Sequence, residues 1–304
     1  MGGPSFTPSV SRRRSGYDPR TSMTRASMPR IDSSNLRSRI AATNVPNGRT
    51  LTTNSPSPLV FALDATGSMG DWVEIIYTKL PMLYGQLVEN SVLEKLAVSL
   101  CLFTDAGIGN QDPFQIADFA EGDILDESIE SLWLPLKNGV DCGGGNGMES
   151  YEMVAYYYLH HCDLKGSQNP FFFMTGDEGY YPKVDSFLVS NHFGSLKKGV
   201  SLDSLTVLQE LARKFECFIL RKPYHNGEKR VNDSWVRAWG PHRVLMLNEP
   251  AQVADTVIGA VALTKGVWTL ERYLAVLQER NQTRDRIANV RETLLPYAEY
   301  LSRP

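Results

Sequence analysis

Continuous apolar runs alternate along the chain with stretches of helical spacing. Leu59-Val60-Phe61-Ala62-Leu63 is closed by Asp64, the pattern of a strand buried on both faces. Residues 95–103 repeat it and run out at Asp105, and Phe171-Phe172-Phe173-Met174 and residues 217–220 repeat it again. Residues 114–119 and 243–247 read as further, shorter strands. Helical spacing covers residues 72–88, interrupted by Pro81 and Gly85, and a helix opening at Asp126 with Ile129, Leu132 and Trp133 on one side. It returns over residues 149–161, at Leu205, Leu208, Leu211 and Ala212, and after Asn248, a candidate cap with Pro250 in the first turn. Leu270, Tyr273, Leu274 and Leu277 form a stripe, and Ile287, Val290 and Leu294 continue toward the C-terminus. Tyr156-Tyr157-Tyr158 spans too much of a helix circumference for one face and reads as a half-buried helix. Wholly apolar strands alternating with helices predict an α/β fold: a doubly wound, mostly parallel central sheet with helices on both faces. Ligands of such sheets bind beyond the C-terminal ends of the strands.

Composition changes this picture at one end. The chain has 304 residues, 42% of them hydrophobic, which is enough for a sizeable core and excludes wholesale disorder. The net charge of −3 hides a split. Residues 1–56 hold nine Arg, no Lys and two acids, for +7, while the remaining 22 basic and 32 acidic residues carry −10. A uniformly basic nucleic-acid binder is excluded. Residues 1–56, rich in Ser, Arg and Pro, are expected to be a disordered basic tail. Residues 57–265 are expected to form the domain, and 266–304 a C-terminal helical extension. Arg12-Arg13-Arg14 suits a weak tether to nucleic acid or an acidic membrane surface. The tail has the composition of an organelle transit peptide, but its scattered prolines and lack of apolar periodicity argue against one. Phe6 stands where a myristoylation signal wants Ser or Thr. No secretory signal is expected, and no apolar run approaches the ~20 residues of a membrane span. Cys101, Cys142, Cys162 and Cys217 make no metal-ligand spacing and too few pairs for a disulfide scaffold. A reducing, cytoplasmic setting is expected.

Three polar segments follow the apolar runs. Asp64-Ala65-Thr66-Gly67-Ser68 sets oxygen side chains at alternate positions after the first strand. One carboxylate and two hydroxyls suit Mg2+ or Mn2+, which prefer oxygen and keep some water, and Gly67 allows the tight backbone. The second segment is the glycine-rich loop of residues 139–147, with Gly144 and Gly145, leading into Asn146 and Glu149. It lacks the lysine and the strand-first context of a phosphate-binding loop. The third, Thr175-Gly176-Asp177-Glu178-Gly179, follows the Phe-rich strand and places Asp177 at the same sheet edge.

Together these segments resemble the von Willebrand factor A fold, a Rossmann-like architecture, and its metal-ion-dependent adhesion site. Asp64, Thr66 and Ser68 match the Asp-x-Ser/Thr-x-Ser pattern. The glycine-rich loop followed by Glu149 is most similar to the branch of the family found beside alpha-kinases. The resemblance covers residues 58–263. It implies no enzymatic activity but divalent-cation-dependent binding, in which a partner's carboxylate completes the coordination of the metal. The implied metal residues are Asp64, Thr66, Ser68, Asn146 and Asp177, with Gly67, Gly144, Gly145, Glu149, Glu178, Tyr180 and Tyr181 supporting the site or meeting the partner, and Trp72 a further aromatic anchor. Two positions depart from the family: Asn146 stands nearest the usual loop threonine, and the acid after the central strand comes one residue late.

Two other readings compete. A haloacid-dehalogenase-like phosphotransferase would use Asp64 as nucleophile, but its second and last motifs belong on different strands, whereas residues 171–175 and Asp177 are nearly contiguous. A metal-independent scaffold would bind through its C-terminal helices. Serine-hydrolase chemistry finds no Gly-x-Ser-x-Gly elbow. His160, His161, His192, His225 and His242 read as surface or locally bonded residues.

Overall fold

The computed structural model describes residues 40–110, 112–138, 142, 146–194, 202–223 and 228–303. The strands are β1 (Leu51–Thr53), β2 (Ser57–Asp64), β3 (Leu96–Phe103), β4 (Phe114–Ile116), β5 (Met148–Glu149), β6 (Cys162–Leu164), β7 (Phe171–Gly176), β8 (Gly179–Tyr180), β9 (Glu216–Arg221) and β10 (Val244–Met246). The helices are α1 (Trp72–Glu89), α2 (Gly122–Glu130), α3 (Tyr151–His160), α4 (Ser186–Phe193), α5 (Ser204–Lys214), α6 (Glu228–Trp239), α7 (Val253–Thr264), α8 (Leu270–Glu279) and α9 (Arg284–Leu301).

Among the described residues six strands make the central sheet, in the order β10-β9-β7-β2-β3-β4. All pairs are parallel except β3 with the edge strand β4. This is the expected α/β architecture, with a mostly parallel sheet consistent with a von Willebrand A-like fold. Every residue of β2, β3 and β7 is buried, because helices cover both faces. The period-2 alternation survives inside the apolar runs. Leu59, Phe61, Leu63, Phe171, Phe173, Phe218 and Leu220 pack with α1, α2, α7, α8 and α9. Val60, Ala62, Phe172, Met174, Cys217 and Ile219 pack with α3, α4, α5 and α6.

Several local expectations change. Order begins before Ser57: β1 pairs in parallel with β6, Leu51 is buried, and Asn44 Nδ2 donates to Ser131 Oγ at 2.9 Å. Residues 1–39, most of the expected tail, lie outside the described residues. Helix α1 runs unbroken through Pro81 and Gly85. Helix α2 starts four residues before Asp126. Glu149 lies in β5, so α3 begins at Tyr151. Tyr156, Tyr157 and Tyr158 are all fully buried, because the sheet, α4 and α5 surround their helix. Two helices, α4 and α6, had no periodic apolar stretch strong enough to announce them, and α4 carries His192. Asn248 does not cap a helix; its Nδ2 donates to Asn289 Oδ1 at 3.2 Å. Among the described residues no helix is long and apolar enough to cross a membrane.

Helices α8 and α9 close the first core layer, where Tyr297 meets Phe218 edge-on at 4.9 Å. They dock on α7 at Gly259, where an added Cβ would come within 2.4 Å of Leu294 Cδ1 and 2.5 Å of Tyr273 Cε1. Tyr273 cannot yield, because it is fully buried and its hydroxyl donates to the Asp255 carbonyl at 2.5 Å. Gly259→Ala is expected to destabilise the protein by about 1–3 kcal/mol through overpacking, read as a lower midpoint of chemical denaturation; an unchanged midpoint would contradict this docking.

Candidate functional site

The candidate site lies where β2, β3, β7 and β9 end on one edge of the sheet. Asp64 closes β2 with its side chain fully buried. Its Oδ1 accepts from Thr66 N at 2.9 Å and Thr66 Oγ1 at 2.6 Å, and its Oδ2 accepts from Tyr151 Oη at 2.5 Å. Thr66 Oγ1 lies 3.2 Å from Ser68 Oγ, which donates to Asp177 Oδ1 at 2.9 Å. The single turn Gly67–Met69 carries Ser68 back toward the β7 end. Asp64, Thr66, Ser68 and Asp177 are thus brought together in one cluster, two carboxylates each accepting from a hydroxyl and the two hydroxyl oxygens side by side.

The late acid after β7 has a steric reason. Gly176 lies under Tyr151, whose hydroxyl would be 2.1 Å from an added Cβ. The position that carries an acid in the family pattern is here the floor on which the Tyr151–Asp64 contact rests. Asp177, one residue on, reaches Ser68 instead.

The remaining expected residues divide. Glu149 and Glu178 are 1% and 2% exposed and flank the same cluster. Asn146 is exposed: Nδ2 donates to Tyr181 Oη at 2.8 Å and Oδ1 accepts from Met148 N at 2.9 Å. Gly144 and Gly145 lie outside the described residues. Tyr180 and Tyr181 are half-buried with hydroxyls turned inward, Tyr180 donating to the Ser234 carbonyl at 3.1 Å and Tyr181 to Asp105 Oδ2 at 2.9 Å. Trp72 is partly buried, with the Lys222 ammonium 5.9 Å from its ring centre.

Sequence reasoning missed a second group of residues at the same edge. Asp105, fully buried after β3, accepts from Gly107 N at 2.8 Å and Ser150 Oγ at 2.9 Å. Buried Glu152 accepts from Tyr181 N at 3.1 Å. Arg221, fully buried at the end of β9, donates to the Asp177 carbonyl at 3.1 Å and to Glu228 at 3.1 Å. Lys222 donates to the Ser68 carbonyl and pairs with Asp177 Oδ2 at 3.7 Å. The signal was available, since Asp105 and Arg221-Lys222 follow apolar runs as Asp64 does.

Asp64, Glu149, Asp177 and Glu178 hold their protons above the usual carboxylate range. Burial first and Asp177 second push Asp64 up to about 7, against the lowering effect of the Thr66 and Tyr151 hydrogen bonds. Burial, then Asp177 and Asp105, push Glu178 to about 7. Burial, then Asp64, Asp105, Glu178 and Asp177, push Glu149 to about 11. Burial raises Asp177 too, offset by Ser68 and then by Lys222 and Arg221. Glu149 Oε2, Asp177 Oδ2 and Glu178 Oε2 find no hydrogen-bond donor among the described residues. Hydroxyls and carboxylates are hard oxygen donors of the kind Mg2+ and Mn2+ take. Such an ion would be held by Thr66, Ser68 and Asp177, with Asp64 behind Thr66. Among the described residues no three His, Cys, Asp or Glu side chains are grouped as a ready metal site, so the donor set rests on hydroxyls and water as much as on carboxylates.

No family model matches the chain, and no curated protein matches it. Solved structures do. The pilus adhesin SpaC from Lactobacillus rhamnosus GG, in its open conformation, is 11% identical with a TM-score of 0.50 over 72% of this chain. The chain spans 31% of that adhesin. The vWF domain of the type V pili tip protein Mfa5 from Porphyromonas gingivalis is 12% identical with a TM-score of 0.43, over 71% of this chain and 96% of that one. At 11% identity the likeness to SpaC is one of fold.

The carboxylate cluster makes stability depend on pH. Unfolded, Asp64 and Glu178 release their protons near pH 4; folded, they keep them to about 7. Their contribution is therefore complete below about pH 4 and declines as pH rises to about 7. In chelator, the melting temperature of wild type relative to Asp64→Asn is expected to fall across that window; a constant difference would contradict it.

Proposed function

We propose that the chain is a divalent-cation-dependent protein-binding module that captures a partner's carboxylate at the C-terminal edge of its sheet. The observation that carries this reading is Asp177 Oδ2, buried with no hydrogen-bond donor among the described residues, beside the clustered hydroxyls of Thr66 and Ser68. A Mg2+ or Mn2+ ion there would be held by Thr66, Ser68 and Asp177, and would offer an open position to an acidic side chain. Charge-assisted, directional contacts of that kind give specificity. Ile108, 44% exposed on the turn after Asp105, offers an apolar contact beside the edge. The fold likeness to a pilus adhesin and the motif resemblance to von Willebrand A domains, including the branch beside alpha-kinases, support binding over catalysis. So does Asp64, whose two oxygens are both engaged, which suits a structural carboxylate better than a phosphotransferase nucleophile. The buried thiols of Cys101, Cys162 and Cys217 suit a reducing, cytoplasmic setting.

A metal-independent scaffold is the second reading, favoured by one observation: Lys222 already pairs with Asp177.

Two measurements test the proposal. Mg2+ at a hundred times its Kd is expected to stabilise the wild type by about 2.7 kcal/mol, and neither Ser68→Ala nor Asp177→Asn is expected to gain from it. Capture of a protein partner is expected to vanish in chelator and in Asp64→Ala. Capture that persists unchanged in chelator would favour the scaffold.

A further inference from the structure

Lys222 sits where a cation is wanted. Its backbone N–H donates to the Gly176 carbonyl at 2.9 Å, which fixes the residue beside the β7 end. Its ammonium donates to the Ser68 carbonyl and lies 3.7 Å from Asp177 Oδ2, so one side chain ties the turn after β2 to the turn after β7. The ammonium lies 5.9 Å from the Trp72 ring centre, and the side chain is 21% exposed, enough to leave by rotating into solvent. Arg221, by contrast, is fully buried and holds the Asp177 backbone from below. The two consecutive cations are therefore not equivalent: one is a fixed brace, the other a mobile point charge on a flexible stem.

We propose that the Lys222 ammonium is a tethered counter-ion at Asp177 and Ser68 that a divalent cation must displace, so that Lys222 sets the cation threshold of the site. This rests on the cation-dependent reading above. Without metal, the ammonium balances Asp177 and holds the two turns together. With metal, the same charge repels the incoming ion and competes for the same carboxylate. At 4 Å, even partly screened, unit charges interact by more than a factor of ten in an equilibrium. Exposure of the ammonium and its freedom to rotate away reduce the net effect.

The test is Mn2+ affinity, followed by the loss of free-ion paramagnetic resonance signal on titration of chelator-treated full-length protein, for wild type, Lys222→Met, Lys222→Gln and Lys222→Arg. Met keeps the stem, Gln keeps a donor for the Ser68 carbonyl, and both drop the charge. Both are expected to bind Mn2+ about tenfold more tightly, on the order of one unit of log affinity, while Arg stays near wild type. Both are also expected to melt lower than wild type in chelator and to regain the difference in saturating Mn2+. Equal affinity in all four proteins, or weaker binding by Met and Gln, would overturn the counter-ion role and leave the metal reading standing. No Mn2+ binding by any of the four would overturn both.

Discussion

Carboxylates crowded at the ends of buried parallel strands are the constraint that orders the rest of the molecule. Four strands stop at one edge, and Asp64, Asp105 and Asp177 follow three of them with fully buried side chains. Burying an unpaired charge is costly, so each carboxylate has its own provision. Asp64 takes Thr66 and Tyr151, Asp105 takes Ser150 and Tyr181, and Asp177 takes Ser68, with Arg221 and Lys222 near by. Tyr151 comes from α3 and Arg221 from β9, while Thr66, Ser68, Ser150, Tyr181 and Lys222 come from the turns at the same edge. Helix α3 is buried over most of its length: its first turn supplies Tyr151 and Glu152 to the cluster, and Tyr156–Tyr158 pack among the sheet, α4 and α5.

The same crowding gives the edge its chemistry. A cluster with more acid than base either holds protons or takes up a cation. Glu149, pushed up to about 11 by burial first and by its acidic neighbours second, is the extreme case. A divalent ion and an acidic partner together would exchange held protons for coordination bonds. In that account Lys222 is the provisional answer to the charge imbalance, and Arg221 the permanent one.

Much of this was legible in the sequence, for a physical reason. Buried parallel strands must be apolar throughout, so β2, β3, β7 and β9 stand out as runs, and the rule that ligands gather past their ends pointed to Asp64, Thr66, Ser68 and Asp177. What stayed hidden depends on packing rather than period. Helix α6 carries its buried face on the widely spaced Val231, Trp235 and Trp239, a pattern diluted by charged neighbours. The displacement of the acid to Asp177 follows from Gly176 lying under Tyr151, a contact between residues 25 positions apart in the chain. Asn146 was a ligand candidate as the nearest substitute for the loop threonine of the resembled family; its amide bonds Tyr181 and its own loop, contacts between residues that spacing does not show. The tyrosine triplet was misjudged because circumference argues for exposure only when one side of a helix faces water.

The most direct test of the account is a crystal structure of the full chain grown with Mn2+, with the ion located by its anomalous scattering. The account predicts one strong peak among Thr66, Ser68 and Asp177, with the Lys222 ammonium swung away from Asp177. A map with no peak at this edge, and Lys222 still paired to Asp177, would contradict it.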